Sequence, residues 1–340
     1  MGLLLLLNPS GHGIRELEVS IPRVEEGDVR RLKSALGAGA FSSIQTLDVL
    51  VPHLDPEDVK LLPCSHPHLR HLELHRSGAF IQLDYLRPLA TLPHLQSLTF
   101  SLQHSWQPPE QRMTFKELRS LKMSCHAFGG VGVFLAHVDA PRLQSFSVSE
   151  WHTDSNTMST ELPGHLRTLL AKCPSLTGFE WDSTQEWMPR VGYLGNQEAG
   201  APLAELVAPL LSHRALRSFK VWFHGPIVSY SPADFRAFAE AWPDLEMFRL
   251  YHDSDEDGTW ARVHQRADVE SIVSFARRCP HLRSLGYLRV VQSESDPSPA
   301  DESVHLLPDT PHWLRELSVS YVTHCSKEDS EEVGPRDRET

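Results

Sequence analysis

A six-position pattern, apolar-x-x-apolar-x-apolar, recurs eleven times between Ile14 and Val319. A chain organised this way is constrained to stack like units on like units. The clearest copy is Leu69, Leu72 and Leu74; the others begin at Ile14, Ile44, Leu95, Leu118, Leu143, Leu176, Leu216, Leu245, Leu282 and Leu314. Side chains alternate across a strand, so the second and third apolar positions share one face and the residues between them take the other.

Between these strands the sequence reads as helix. In Ser231–Trp242, Ser231 suits the N-cap, Pro232 the first turn, and Asp234 complements the helix dipole. Proline stands two residues before the first strand apolar residue at Pro67, Pro93, Pro141, Pro174, Pro243 and Pro280. There it ends the helix and enforces an extended chain, which fixes the register independently of the leucines. Each unit is therefore helix then strand. Strands that all follow helices run parallel, and no single unit can bury its own apolar face. The expected fold is α/β, a solenoid forming an irregular horseshoe with a parallel sheet on its concave face and helices on its convex face. Cys173 and Cys279, each just before a helix-ending proline, read as small buried apolar residues.

Length alone allows two ordinary domains or one array for 340 residues. The periodicity selects an array over residues 1–323, followed by a disordered charged tail over 324–340, which ends in Lys-Glu-Asp-Ser-Glu-Glu and Arg-Asp-Arg-Glu-Thr. A formal charge of −12 disfavours nucleic acid and anionic membrane as partners and leaves protein. Five scattered cysteines, Cys64, Cys125, Cys173, Cys279 and Cys325, lack the pairing of a zinc site or a disulfide framework. Proline follows Asn8, and neither Asn156 nor Asn196 has Ser or Thr two residues on, so no glycosylation acceptor is present. These features predict an intracellular chain, cytoplasmic or nuclear. The run Leu3–Leu7 has no basic flank and meets Asn8-Pro9, unlike a secretory signal; it reads as the end of a buried helix that begins upstream. Leu6 stands where a myristoylation motif takes Ser or Thr, and no apolar run reaches membrane-spanning length.

These residues resemble the leucine-rich-repeat family over about residues 14 to 323. Cys173-Pro-Ser-Leu176 and Cys279-Pro-His-Leu-Arg-Ser-Leu285 look like the cysteine-containing repeats of F-box substrate receptors. Irregular repeat lengths, Pro-x-Leu starts and Trp- or Phe-substituted strands are most similar to the divergent F-box repeat proteins of fungi. The resemblance implies substrate recognition for an SCF-type ubiquitin ligase, with that ligase's adaptor as a partner. Two features depart from it. The family's asparagine ladder is replaced by Pro22, Pro52, Ser77, Gln103, His126 and Trp151, which implies an irregular arc. No F-box precedes the repeats, so adaptor binding carries over only to a chain truncated at its N-terminus. Truncation is the expectation, because an uncapped first unit would expose Ile14, Leu17 and Val19.

The residues between the strand apolars define the concave face. It is acidic at Glu16, Glu18 and Asp48, rich in serine from Ser97 to Ser149, and changes character at Lys220, Trp222, Arg249 and Tyr251. Aromatic and Arg side chains dominate binding at interfaces, so these four are the expected partner-binding residues. Glu180 and Asp182 join them as partners for a basic group or for Lys220. The bland alternative has Trp222 and Tyr251 covering the insertion Ser183–Gly200.

Metal and catalytic chemistry are not expected. His71, Glu73 and His75 alternate along one strand, with His66 and His68 nearby, but such side chains start roughly 6 to 7 Å apart, too far to converge on one ion. Asp253–Gly258 begins like a calcium loop, yet His264 stands at the twelfth position in place of glutamate. No nucleophile elbow, zinc-protease helix or phosphate loop occurs. The expected function is a protein-binding scaffold without cofactor or catalytic residues, either a ligase substrate receptor or a stand-alone scaffold. A metal-dependent enzyme is the remote alternative.

Overall fold

The computed structural model describes residues 15–20, 43–50, 56–74, 82–102, 111–125, 130–151, 155–184, 201–224, 228–253, 267–293 and 313–325, together with Ser34. Two compact units divide the chain, Met1–Trp187 and Met188–Thr340. Both are α/β and built on parallel sheet.

In the first unit the main strands are β1 (Glu16–Ser20), β2 (Thr46–Leu50), β3 (His71–Glu73), β4 (Ser97–Leu102), β6 (Ser120–Cys125), β8 (Ser145–Trp151) and β9 (Gly178–Thr184). They pair in parallel in that order. The short strands β5 (Met113–Thr114) and β7 (Val138–Asp139) pair separately. Helices Pro56–Ser65, Leu86–Leu89, Gly130–His137 and Ser155–Lys172 lie between the strands in sequence.

The second unit repeats the plan. Strands β11 (Ser218–His224), β13 (Met247–Asp253), β14 (Ser284–Ser293) and β15 (Glu316–Cys325) follow one another in parallel. Strand β10 (Ala201–Pro202) pairs with β12 (Val228–Ser229). Helices Leu203–Leu206, Ala208–Leu211, Pro232–Ala241 and Val269–Arg278 separate them in sequence.

Register follows the apolar pattern. Leu72, Leu98, Leu121, Phe146 and Phe179 form one buried row, as do Phe219, Phe248 and Leu285 in the second unit. A slip of one residue would turn these rows to solvent, so burial and register enforce one another. In the second unit the row meets an aromatic core. Phe219 stands 4.9 Å from Trp242 and Phe248 4.8 Å from Phe275, ring centre to ring centre, and the Trp242 indole donates to the Leu210 carbonyl at 3.0 Å.

The turn from helix to strand recurs in nearly one form. Helices stop at Ser65, Lys172, Ala241 and Arg278, and His66, Cys173, Trp242 and Cys279 follow, each just before a proline. Their N–H groups close the last helical turn onto Leu62, Leu169, Phe238 and Phe275. Their carbonyls accept the N–H groups of Leu69, Leu176, Leu245 and Leu282 at 3.0 to 3.2 Å. The residue before proline is thus held in a tight turn, and its side chain is driven inward: all four are 3% exposed or less. Burial pushes the Cys173 thiol up to about 11 and that of Cys279 up to about 12, so both remain protonated packing groups.

A second regularity joins the repeats. The Arg70 carbonyl accepts the N–H groups of both Gln96 and Ser97; Gln45, Gln96, Arg119 and Gln144 do the same for the next strand. In the second unit the ladder runs Arg217, Glu246, Arg283, each carbonyl taking two donors from the following strand. With no asparagine at the ladder positions, main-chain carbonyls at the strand starts supply this regularity. Of the positions of the missing asparagine ladder, Pro22, Pro52, Ser77, Gln103 and His126 lie outside the described residues.

Helix capping is as the sequence indicates. The Ser231 N–H donates to Asp234 Oδ2 at 2.7 Å and its hydroxyl to the same oxygen at 3.0 Å, while Pro232 opens the helix. Helix Val269–Arg278 starts on Asp268, whose Oδ1 accepts the Ser271 N–H at 2.7 Å.

Three expectations change. Leu17 and Val19 are 8% and 4% exposed, so both are covered; among the described residues the exposed apolar positions of the strand pattern are instead Leu317 and Val319 of β15. Thr99 and Ser101 are largely buried although they lie on the polar face. Thr99 sits in register between Glu73 and Lys122, whose longer side chains flank it. Last, β15 continues to Cys325, two residues into the expected tail, whose remainder lies outside the described residues. The Leu3–Leu7 run and Ile14 lie outside them as well.

Candidate functional site

The polar side of the second unit's sheet carries Lys220, Trp222, Arg249 and Tyr251. Strand pairing sets Lys220 beside Arg249 and Trp222 beside Tyr251, because β11 and β13 run in parallel with Ser218 opposite Met247. Their neighbours Phe219, Val221, Phe248 and Leu250 are buried, so the alternation of the strands turns these four outward.

Trp222 and Tyr251 stack face to face, with ring centres 4.2 Å apart and planes within 11°. Trp222 remains 42% exposed. A stacked pair of this kind is a pre-ordered apolar ledge, since each ring restricts the rotamers of the other.

Arg249 is held from three sides. Its Nε donates to Ser284 Oγ at 3.1 Å, Nη1 to the Tyr251 hydroxyl at 3.2 Å, and Nη2 to Glu316 Oε2 at 2.5 Å; the Ser284 hydroxyl also donates to Glu316 Oε2 at 2.9 Å. Burial pulls its pKa down, but the contacts with Tyr251 and Glu316 outweigh burial and hold the guanidinium above its ordinary value. Arg249 therefore spans β14 to reach β15. Gly286 lies in register with Arg249, and a Cβ there would stand at ordinary contact distance, 3.6 Å from Arg249 Cγ and 3.8 Å from Ser318 Cβ, so the side chain passes over β14 without requiring glycine. The sequence marks Arg249 but not Ser284 and Glu316, which fix its direction. Their signal was the strand register, in which Ser284 lies opposite Glu316.

Glu180 and Asp182 occupy the polar face of β9 in the first unit, opposite Ser147 and Ser149 of β8. They belong to a different unit from the other four residues. The 185–200 insertion lies outside the described residues.

Among the described residues no three His, Cys, Asp or Glu side chains gather as metal ligands. His71 and Glu73 stand on the outward side of β3, whereas His66 points the other way into the buried turn slot; His75 lies outside the described residues, as does the loop beyond Asp253. Among the described residues no group stands in good hydrogen-bond geometry to either ring nitrogen of His66. Burial lowers its pKa, opposed in part by the Leu62 carbonyl, so the imidazole packs in the turn in its neutral form. No helix among the described residues is long and apolar enough to cross a membrane.

No protein-family profile matches this chain. No curated protein sequence matches it either. Among solved structures, a Bacteroides fragilis protein determined by the Northeast Structural Genomics Consortium is similar over 62% of this chain and 67% of its own, at 14% identity and a TM-score of 0.25. A likeness at that level carries no weight for function. The α/β class rests on the parallel strands themselves.

Proposed function

We propose that the chain is a divergent leucine-rich-repeat solenoid that binds a protein partner on the polar face of its sheet. The observation that carries the reading is the Trp222–Tyr251 stack beside a fixed Arg249. Such a surface offers a large apolar area at little rotamer cost, with directional donors at its border, which is the composition of an interface hot spot. Lys220 completes the proposed contact set of the second unit, and Glu180 and Asp182 are proposed contacts of the first unit by itself, with no cofactor. The rest of the polar face is serine, threonine and scattered charge, which suits a rim that excludes water without contributing much energy.

The chain acts as a scaffold and not as an enzyme. An open sheet face offering two stacked aromatic rings and a paired guanidinium suits a binding surface better than the enclosed pocket that catalysis favours. Within the scaffold class, the Cys-Pro-x-Leu turns at Cys173 and Cys279 favour the substrate-recognition part of an SCF-type ubiquitin ligase over a stand-alone scaffold, through their resemblance to F-box repeats. An intracellular, reducing location goes with that reading and with the buried thiols.

The test is affinity capture of the tagged chain from its native cells under reducing conditions, beside Trp222→Ala and Arg249→Ala variants of unchanged fold. A protein recovered by the parent and lost from both variants supports the proposal; equal recovery by all three overturns it. Co-purification of ligase adaptor subunits selects the receptor reading, and a partner recovered without them selects the stand-alone scaffold.

A further inference from the structure

Strand β15 breaks the burial pattern of its sheet. Its neighbours hold their pattern residues at 1% exposure or less: Phe219 and Val221, Phe248 and Leu250, Leu285. The corresponding Leu317 and Val319 are 50% and 36% exposed, and Trp313 ahead of them is 61% exposed. Leu285 lies in register with Leu317, so Leu317 extends the buried row rather than departing from it, while Val319 pairs with Leu288 beyond a register shift. Among the described residues, β15 pairs with β14 on one side and with no strand on the other.

The strand starts add a direction and a charge. Arg217, Glu246 and Arg283 each offer a carbonyl that takes two N–H groups from the next strand, the last pair being those of Arg315 and Glu316. The Arg315 carbonyl is the next step of this ladder, and no donor among the described residues fills it. The side chains of this row show what suits it. Glu246 lies between Arg217 and Arg283, at 3.5 and 3.8 Å from their guanidinium groups. Beyond Arg283 the row continues with Arg315, exposed and without an acidic partner among the described residues.

We propose that β15 is a docking edge for an extended segment of another protein that adds as a parallel strand with the pattern apolar-acidic-x-apolar-x-apolar. Its acidic residue pairs with Arg315, its last two apolar residues cover Leu317 and Val319, and its main chain donates to the Arg315 carbonyl. The chain contains a segment of the required form in Leu245-Glu246-Met-Phe248-Arg-Leu250, which packs in this way against β11. Charge selects the partner and row alternation selects its direction. This edge is distinct from the Trp222 face, and the two stand or fall separately.

The test uses a fluorescein-labelled peptide, Leu-Glu-Thr-Val-Thr-Leu between Gly-Ser flanks, titrated with the full-length chain and followed by anisotropy. Controls carry Lys in place of Glu, or the same residues in reverse order. The parent chain binds the Glu peptide best. Arg315→Glu weakens that binding tenfold or more and improves binding of the Lys peptide, while Leu317→Ser with Val319→Ser weakens both. Thermal melts establish that each variant is folded, and Arg315→Gln gives an intermediate affinity. Absence of binding, affinity indifferent to Arg315→Glu, or equal affinity for the reversed peptide would overturn the proposal. So would binding that emerges only after removal of residues 326–340, which would make this chain's own C-terminal segment the occupant.

Discussion

Arg249 Nη2 meets Glu316 Oε2 at 2.5 Å although the two residues stand on strands separated by β14. The contact pins β15 to β13 across Ser284 and Gly286, and it fixes the guanidinium beside the hydroxyl of Tyr251, whose ring stacks on Trp222. Charge pairing and aromatic order are thus one arrangement.

Removing either end of this link loosens the other. Arg249 is 23% exposed and Glu316 44%, so solvent screens part of the attraction, and a coupling of about 1 kcal/mol is expected. A double-mutant cycle of Arg249→Ala and Glu316→Ala in urea measures it; additive effects would mean that the contact contributes nothing. Trp222 fluorescence should also shift in Arg249→Ala, because Tyr251 loses its anchor.

His66 makes stability depend on pH. Its ordinary value is 6.5 and burial lowers it in the folded chain, so between the two values the unfolded state binds more protons. The contribution is present in full above about 6.5 and is lost as pH falls toward the lowered folded value. His66→Leu places in the turn slot the residue that Leu92 supplies in the equivalent Leu92-Pro93-His-Leu95 turn. The variant should be more stable by about 1 kcal/mol, since an unpartnered buried polar group is replaced. Its melting temperature should also fall less steeply between pH 7.5 and 5.5 than that of the parent.

Gly132 makes the close approach of two helices possible. A Cβ at this position would stand 2.3 Å from Nε2 of His165, which projects from helix Ser155–Lys172. Gly132→Ala gains about 1 kcal/mol in helix propensity and displaces only the far end of the His165 side chain, so a net change within about 1 kcal/mol is expected. Adding His165→Ala should relieve the clash, and chemical denaturation of the single and double variants decides the matter.

The thiols divide by burial. Cys64 is exposed, whereas burial holds Cys173 and Cys279 in the protonated form, at about 11 and about 12. Iodoacetamide at pH 8 followed by peptide mass spectrometry should label Cys64 first and leave the other two protected until the chain unfolds. Early labelling of Cys279 would contradict the buried-turn assignment.

Much of the fold is legible in the sequence because its information is local and periodic. Leu69, Leu72 and Leu74 locate a strand, Pro67 its start, and Ser231 with Pro232 a helix. The links that give the site its form are not local. Arg249 and Glu316 are distant in sequence, and only the parallel register brings Ser284 and Gly286 between them. His66 sits within a cluster of histidines that suggests metal chemistry, yet the turn before Pro67 turns it into the core, as it does Cys173 and Trp242. The exposed apolar residues of β15 follow the same pattern as the buried ones, so no local feature of Leu317 distinguishes it from Leu285. What differs is the neighbouring strand.

The central claim is that the Trp222–Tyr251 ledge binds a protein partner, and calorimetry of the purified chain with its captured partner tests it most directly. Trp222→Ala should weaken binding tenfold or more, about 1.4 kcal/mol, with an unchanged melting temperature. Affinity unaltered by Trp222→Ala in a folded protein would contradict the claim.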